Sequence, residues 1–478
     1  MKTRLEAFKQ FLDGRRIAVI GAGISNRPLI RWLYPLNRDV TVFDRMNSDD
    51  TRLKEIQDSL SLQGITVTWY TGESYLDKLT GFDLIFRTPK MKLDLPELIR
   101  ERQRGAVITS EIALFTELCP APIYAVTGSD GKTTTTSLIS LMLEEGGHRV
   151  FTGGNIGTPL LDQIESIGPS DRVVLELSSF QLMDMLPVIQ CAVITNIIPN
   201  HLDFHTDFEE YVEAKKNIFR AQGILDRLVL NARDPVSSAF QDEAKGELTW
   251  FNIKEAGRSV TAWREKGQLW IRTSTHSPEV LVDEEEVLLP GSFNLENILA
   301  AAATTAGDIP LDAVRHIART FPGVEHRIEW IRKLDGVRWF NSSVDSSPDR
   351  TKKTLGAFRD RKESLVLITG GQDKNSDYTG LGRAIAETTG RIILCGQNAA
   401  LILESIKQEC GSVNLVFEDL QILHADDYKE AVGMARKMAR PGDAVLLSPA
   451  GTSYDRFQNF DERGRHFKEL VRKLSSTP

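Results

Sequence analysis

The 478-residue chain has only four cysteines, Cys119, Cys191, Cys395 and Cys410, and none stands at CxxC or metal-ligand spacing. That excludes a cysteine-built metal centre, and a reduced, cytosolic chain is the expectation. No lysine- or arginine-rich run occurs, and the formal net charge is -8. The basic footprint of a nucleic-acid binder is therefore missing, and no such partner is expected. No apolar stretch approaches the roughly 20 residues that span a bilayer. The charged, amphipathic N-terminus does not read as a signal peptide. There is no low-complexity tract and no repeat of fixed short period. What remains is the composition of an ordinary soluble globular protein, long enough for about three domains.

The most informative stretch is Gly128-Ser-Asp-Gly-Lys-Thr-Thr134. The apolar run 122–126 before it reads as a buried strand, and 135–144 after it as a helix. A triphosphate needs converging backbone N–H groups, a cation on its outer phosphates and a hydroxyl for Mg²⁺. Gly128 and Gly131 let the backbone approach, Ser129, Asp130 and Thr134 complete the cradle, Lys132 supplies the cation and Thr133 the hydroxyl. The loop is shorter than the usual pattern, since valine stands at position 126. Even so, strand, loop and helix together predict an ATP site. Downstream, the apolar strand 173–176 ends in Glu176, a candidate Mg²⁺ ligand. A second strand, beginning at Ile194, delivers Asn200, His201 and Asp203. On position alone His201 is more readily structural than ligating, and Tyr211 to Lys216 would pass for a solvated helix face.

Another glycine turn, Gly21-Ala-Gly23, follows the strand 16–20, and Asp44 ends the next strand, 40–44. A dinucleotide fold would use such an acid on a ribose. Its third glycine is replaced by Asn26, which should crowd the helix–sheet packing, so a different nucleotide is the better expectation. Further strands are predicted at 65–69, 84–86 and 106–109, then at 337–340, 365–369, 391–394 and 444–447. Alternation of strands with helical stretches predicts an α/β protein. The Cys119-Pro-Ala-Pro122 linker and the Phe321-Pro-Gly323 turn suggest three domains, 1–118, 119–324 and 325–478.

Taken in order, the phosphate loop, Gly153-Gly-Asn155-Ile-Gly157, Glu176-Leu-Ser-Ser-Phe-Gln-Leu182, Asn200-His-Leu-Asp203 and Tyr211-x-x-Ala-Lys215 resemble the central domain of the Mur ligases of peptidoglycan synthesis. Gly291-Ser-Phe-Asn294-Leu-Glu-Asn297, Gly323-Val-Glu-His326-Arg327 and Ser453-Tyr-Asp-Arg-Phe-Gln-Asn-Phe460 extend the resemblance over essentially the whole chain. It implies a Rossmann-like N-terminal domain for the uridine end of the substrate, a central P-loop ATPase-like domain and a C-terminal Rossmann-like domain. The last stretch points to the branch that joins D-glutamate to UDP-N-acetylmuramoyl-L-alanine through an acyl phosphate, as a cytoplasmic monomer.

The resemblance also implies roles. Ile24, Ser25 and Asp44 meet the uracil or ribose, and Asn155 and His201 the muramoyl-alanine end and the transferred phosphate. Thr133 and Glu176 hold one Mg²⁺. His201 and Lys215 hold a second, with Lys215 carbamylated. Lys132, His201 and Lys215 form the catalytic group. Asn294, Asn297 and Arg327 face ATP, and Ser346, Lys374, Ser453, Tyr454 and Phe460 face D-glutamate.

One segment departs from the family pattern. Where Asn-Asp-Ser-Lys is usual, the chain reads Asn341-Ser342-Ser343-Val344, with Asp345 displaced by three places. On an extended strand that shift turns the acid to the opposite face. Two other readings remain: a related amide ligase, such as a folate-type glutamate ligase, and a non-catalytic nucleotide-sugar binder. Retention of Lys132, Thr133, Glu176, His201 and Lys215 disfavours the second.

Overall fold

The computed structural model describes residues 3–257, 259–273, 277–359, 365–413 and 416–476. The chain is α/β, and the described residues form three sheets. In the first, β1 (Ile17–Ile20), β2 (Val40–Asp44), β3 (Thr68–Thr71), β4 (Leu84–Phe86) and β5 (Val107–Thr109) run parallel in the order β3-β2-β1-β4-β5. Successive strands lie on opposite sides of β1, so the order reverses between β1 and β4. Open α/β sheets bind ligands in the crevice at such a reversal.

The second sheet has nine strands. They are β6 (Ile123–Thr127), β7 (Val150–Gly154), β8 (Arg172–Glu176), β9 (Cys191–Ile194), β10 (Arg227–Asn231), β11 (Glu247–Phe251), β12 (Thr261–Glu265), β13 (Gln268–Arg272) and β14 (Glu279–Asp283). Their order is β14-β13-β12-β11-β10-β9-β6-β8-β7. Strand β6 lies between β8 and β9 and every one of its residues is buried. Being covered on both faces is what makes it read as a continuous apolar run.

The third sheet comprises β15 (Glu329–Leu334), β16 (Val337–Asn341), β17 (Leu365–Thr369), β18 (Arg391–Cys395), β19 (Gln421–Ala425) and β20 (Ala444–Leu447), ordered β15-β16-β20-β17-β18-β19. Only the edge pair β15 and β16 is antiparallel among its described pairings. Apolar clusters cover both faces, one around Phe340, Leu367 and Ile392, the other around Trp339, Ile368 and Phe467.

Two compact units emerge. One holds residues 1–265, 269–281 and 297–317, and the other 266–268, 282–296 and 318–478. The first contains the first sheet and nearly all of the second.

Three sequence expectations need correction. The strand expected at 65–69 forms at 68–71, where its residues are exposed or half-buried in alternation. The strand expected from Ile194 instead ends there, and residues 195–203 are loop. Strand β16 also ends at Asn341, so Asp345 sits in a turn and strand alternation does not decide which way it faces.

Candidate active site

The phosphate loop leaves β6 and enters the helix Lys132–Glu145 at Gly131, whose φ is 82°. Gly128 has a φ of 149°, and a Cβ there would lie 1.9 Å from Thr195 Oγ1. Only glycine fits, because the loop is clasped by the segment that follows β9. Ser129 N donates to Asn196 O (2.8 Å), Asp130 N to Asn196 Oδ1 (3.0 Å) and Thr195 Oγ1 to Asp130 O (2.6 Å). The Ser129 hydroxyl lies 2.8 Å from the Tyr211 hydroxyl. Lys132 folds back over the loop, donating to Gly128 O and Ser129 O, each at 3.0 Å. Asn297 packs here as well, its Oδ1 accepting from Thr135 Oγ1 at 3.3 Å. Thr134 is buried on the first turn of the helix.

Glu176 ends β8 and is buried. Its Oε2 accepts from Thr133 Oγ1 and its Oε1 from Asn155 Nδ2, both at 2.7 Å. A hydroxyl and a carboxylate oxygen this close offer two oxygen ligands of the kind a hard cation such as Mg²⁺ takes.

Lys215 lies on the helix Phe208–Arg220, which Asp207 caps through Glu210 N at 2.8 Å. The residue is not on a solvated face: it is 1 % exposed. Its Nζ donates to Gly128 O at 2.7 Å and lies 4.6 Å from the centre of the Tyr211 ring. Burial first, then the charge of Lys132, pushes its pKa well below the ordinary amine value. An amine that loses its proton this readily is nucleophilic. Lys216 points elsewhere, pairing with Glu213 (3.1 Å) and Glu243 (2.6 Å).

His201 has a φ of 55° and sits 5.0 Å from the Phe180 ring. Its partial burial, then Lys132, lowers its pKa below the usual imidazole value. Glu176 thus comes from the carboxyl end of β8 itself, and Lys132, Thr133, Asn155, His201 and Lys215 from the loops and helices that follow β6, β7 and β9.

In the first sheet, Asp44 is buried, and its carboxylate accepts from Ala22 N (2.7 Å) and Met46 N (2.9 Å). It therefore shapes the glycine turn and retains lone pairs for a further donor. Ile24 is 74 % exposed beside it, an apolar side chain left on the surface of the turn, and Ser25 caps the next helix without using its side chain. Asn26 does not crowd the packing. Its Nδ2 reaches Ile20 O (2.9 Å) and Gly21 O (3.0 Å), fastening the turn from beneath.

The remaining residues belong to the second unit, apart from Asn297. Asn294 is buried and donates to Pro290 O at 2.6 Å, while Arg327 is exposed. Lys374 Nζ lies 4.7 Å from the Tyr454 ring centre. Ser453 is 1 % exposed, and its Oγ has no hydrogen-bond partner among the described residues. The sequence reading missed Arg463, which organises this region from the helix Phe460–Lys473. Its guanidinium donates to Ser343 O (2.8 Å), Ser343 Oγ (3.0 Å), Gly451 O (3.0 Å) and Thr452 O (3.1 Å), with Ser346 Oγ at 3.5 Å. Ser343 Oγ in turn donates to Phe460 O at 2.7 Å. Ser346 directly, and Phe460 through Ser343, are thereby tied to one buried cation, which also holds Gly451 and Thr452 just before Ser453. An arginine within a charged helix gives no sequence signal of this.

Asp345 is buried and accepts from Ser448 Oγ at 2.7 Å, and burial raises its pKa. Ser342, at the usual place of the acid, is buried too, its Oγ accepting from Ile328 N at 3.3 Å.

A family model of the Mur ligase middle domain matches residues 126–305, and one of the Mur ligase glutamate ligase domain matches residues 326–451. The chain belongs to the Mur ligase family. Two relatives named UDP-N-acetylmuramoylalanine–D-glutamate ligase, from Acetivibrio thermocellus and Ruminiclostridium cellulolyticum, are each 44% identical to it. The alignments cover 100% of both chains in the first case, and 99% of this chain and 100% of the relative in the second. Among solved structures, a UDP-N-acetylmuramate-alanine ligase from Thermotoga maritima aligns over 96% of this chain and 99% of its own, with a TM-score of 0.54 and 18% identity. A UDP-N-acetylmuramoyl-L-alanyl-D-glutamate–2,6-diaminopimelate ligase aligns over 91% and 93%, with a TM-score of 0.56 and 17% identity. These two likenesses show the Mur ligase fold alone.

Proposed function

We propose that this Mur ligase is a cytoplasmic, ATP-dependent amide ligase that joins D-glutamate to UDP-N-acetylmuramoyl-L-alanine in peptidoglycan precursor synthesis, acting as a monomer. The observation that carries the reading is the gathering of Lys132, Thr133, Asn155, Glu176, His201 and Lys215 at one end of the second sheet. Full-length identity to relatives bearing that activity in their names supports the choice of acceptor. The proposed domains are 1–118, 119–324 and 325–478.

A carboxylate is a poor electrophile because its leaving group would be an oxide. Here the alanyl carboxylate attacks the γ-phosphorus of ATP, the bond to the β-phosphate bridging oxygen breaks, and ADP leaves. The neutral amine of D-glutamate then adds to the acyl phosphate carbonyl, and the tetrahedral adduct expels phosphate and loses a proton to give the amide. Lys132 balances charge on the transferring phosphoryl group, and the N–H groups of Gly131 to Thr133 cradle the phosphates. Asn155 and His201 orient the carboxylate that is phosphorylated. Ile24, Ser25 and Asp44 hold the uridine end, Asn294, Asn297 and Arg327 the ATP, and Ser346, Lys374, Ser453, Tyr454 and Phe460 the D-glutamate.

Thr133 and Glu176 suit one Mg²⁺. A second fits His201 and Lys215 only if Lys215 is carbamylated, because an ammonium repels a cation and has no lone pair. Its depressed pKa supports that modification: CO₂ adds to the neutral amine, which loses a proton and becomes an anionic carbamate. Bound Mg²⁺ supplies further neutralisation of phosphate charge.

The test is phosphate release from ATP with UDP-N-acetylmuramoyl-L-alanine and a panel of amino acids. Release that depends on D-glutamate is expected. Dependence on another amino acid would overturn the acceptor, and no release with any would leave a nucleotide-sugar binder.

A further inference from the structure

The loop that follows β4 carries two lysines, Lys90 and Lys92, to which no part of the reaction above gives a role. Both are exposed, and neither has a carboxylate partner among the described residues. Their placement is built rather than incidental. Arg87, 2 % exposed, donates from Nη1 to the carbonyls of Thr88 (2.9 Å), Pro89 (3.0 Å) and Met91 (2.6 Å). Its Nε donates to Asp184 Oδ2 at 2.6 Å, beyond β8. The loop is thus wound around one buried guanidinium that anchors it to the second sheet's domain. On its other side Thr88 rests on the glycine turn: a Cβ at Gly21 would lie 2.6 Å from Thr88 Cγ2.

With its carbonyls turned inward to Arg87, the loop presents Lys90 outward. The Lys90 ammonium lies 5.6 Å from the centre of the Phe180 ring, and that ring lies 5.0 Å from His201. Lys92 stands over Phe204 at 5.2 Å. The loop flanks the crevice between β1 and β4, where the strand order reverses and a nucleotide is expected. Through Thr88 the loop touches the glycine turn, and through Lys90 it approaches Phe180 and, beyond that ring, His201.

We propose that Lys90 is a binding residue for the diphosphate of the nucleotide-sugar substrate. This rests on the uridine-nucleotide reading given above and adds to it the residue that recognises the bridge between nucleoside and sugar. A diphosphate carries two negative charges that must be matched somewhere between the ribose and the reacting carboxylate. The glycine turn supplies N–H groups but no cation. A lysine is a compact point charge suited to phosphate oxygens. The Phe180 face holds the ammonium by cation–π attraction without neutralising it, so it remains available to an anion.

The test is binding of uridine, UMP and UDP to the full-length protein by titration calorimetry, with wild type, Lys90→Ala and Lys90→Arg. Wild type should bind UDP more tightly than uridine. Lys90→Ala should weaken UDP about tenfold, as loss of one charge-assisted contact does, and leave uridine unchanged. Lys90→Arg should restore most of the UDP affinity. In turnover, Lys90→Ala should raise KM for the nucleotide-sugar and leave kcat and the KM for ATP in place. Unchanged UDP affinity in Lys90→Ala, or an equal loss for uridine, overturns the assignment while the uridine site stands. Failure of wild type to bind uridine and UDP alike overturns the uridine-nucleotide reading and the assignment with it.

Discussion

At the scale of single residues, the proposed mechanism gives two lysines near the phosphate loop opposite tasks. Lys132 must stay charged, because its value lies in balancing phosphoryl oxygens as ADP leaves. Lys132→Ala should lower phosphate release on the order of 10²-fold or more while the circular dichroism spectrum is kept. Near-normal release would refute the loop assignment. To become the proposed carbamate, Lys215 must lose its charge. Nearly complete burial and the neighbouring Lys132 already favour the neutral amine. We expect Lys215→Ala to be almost inactive and to be partly rescued by small carboxylic acids, which can replace the carbamate. Lys216→Ala should keep activity within about twofold, since Lys216 is held by Glu213 and Glu243 away from the site. Equal activity of the two alanine variants would sink the carbamate.

At the scale of elements, the strands that were legible in sequence are those buried on both faces. Val40–Asp44, Leu84–Phe86, Leu365–Thr369 and Ala444–Leu447 form with the bounds expected from their apolar runs. Failures have physical causes. The run from Ile194 has strand-like composition, but its backbone serves the phosphate loop: Asn196 O accepts from Ser129 N, and Ile198 N donates to Ser129 Oγ at 3.0 Å. The helix bearing Lys215 carries many charges and reads as solvated. Only the fold shows that Tyr211, Ala214 and Lys215 share its buried face.

Arg463 was equally hidden, and it yields a prediction for the loops it joins. The planar fork holds Ser343, Gly451 and Thr452 together, which an ammonium cannot reproduce. Arg463→Lys should raise the KM for D-glutamate about tenfold, as expected for losing one or two hydrogen bonds to a charged group. The KM for ATP should hold, and parallel rises in both constants, or in neither, would assign Arg463 to general stability.

At the scale of the molecule, the first and second sheets share one apolar core. It runs from Val19, Val42 and Phe86 through Ile112 and Phe115 to Ala125, Leu175 and Ala192. The helix Glu111–Leu118 lies within this core and begins with a carboxylate that is 6 % exposed. Glu111 Oε1 accepts from Leu161 N at 3.1 Å, yet burial dominates and raises the pKa from 4.5 to about 7. A carboxyl that holds its proton more tightly when folded stabilises the fold below its unfolded pKa. That stability is lost as pH rises from about 4.5 through about 7. Above that window the buried charge costs up to about 3 kcal/mol, at about 1.4 kcal/mol for each unit. Glu111→Gln keeps an acceptor for Leu161 N and removes the titration. The variant should match wild type in melting temperature near pH 5 and exceed it by several degrees at pH 8. Because the two sheets share this core, the gain should appear across their common transition rather than in a fragment of it. Parallel melting profiles for the two proteins from pH 5 to 8 would show that Glu111 is ionised in the folded state throughout.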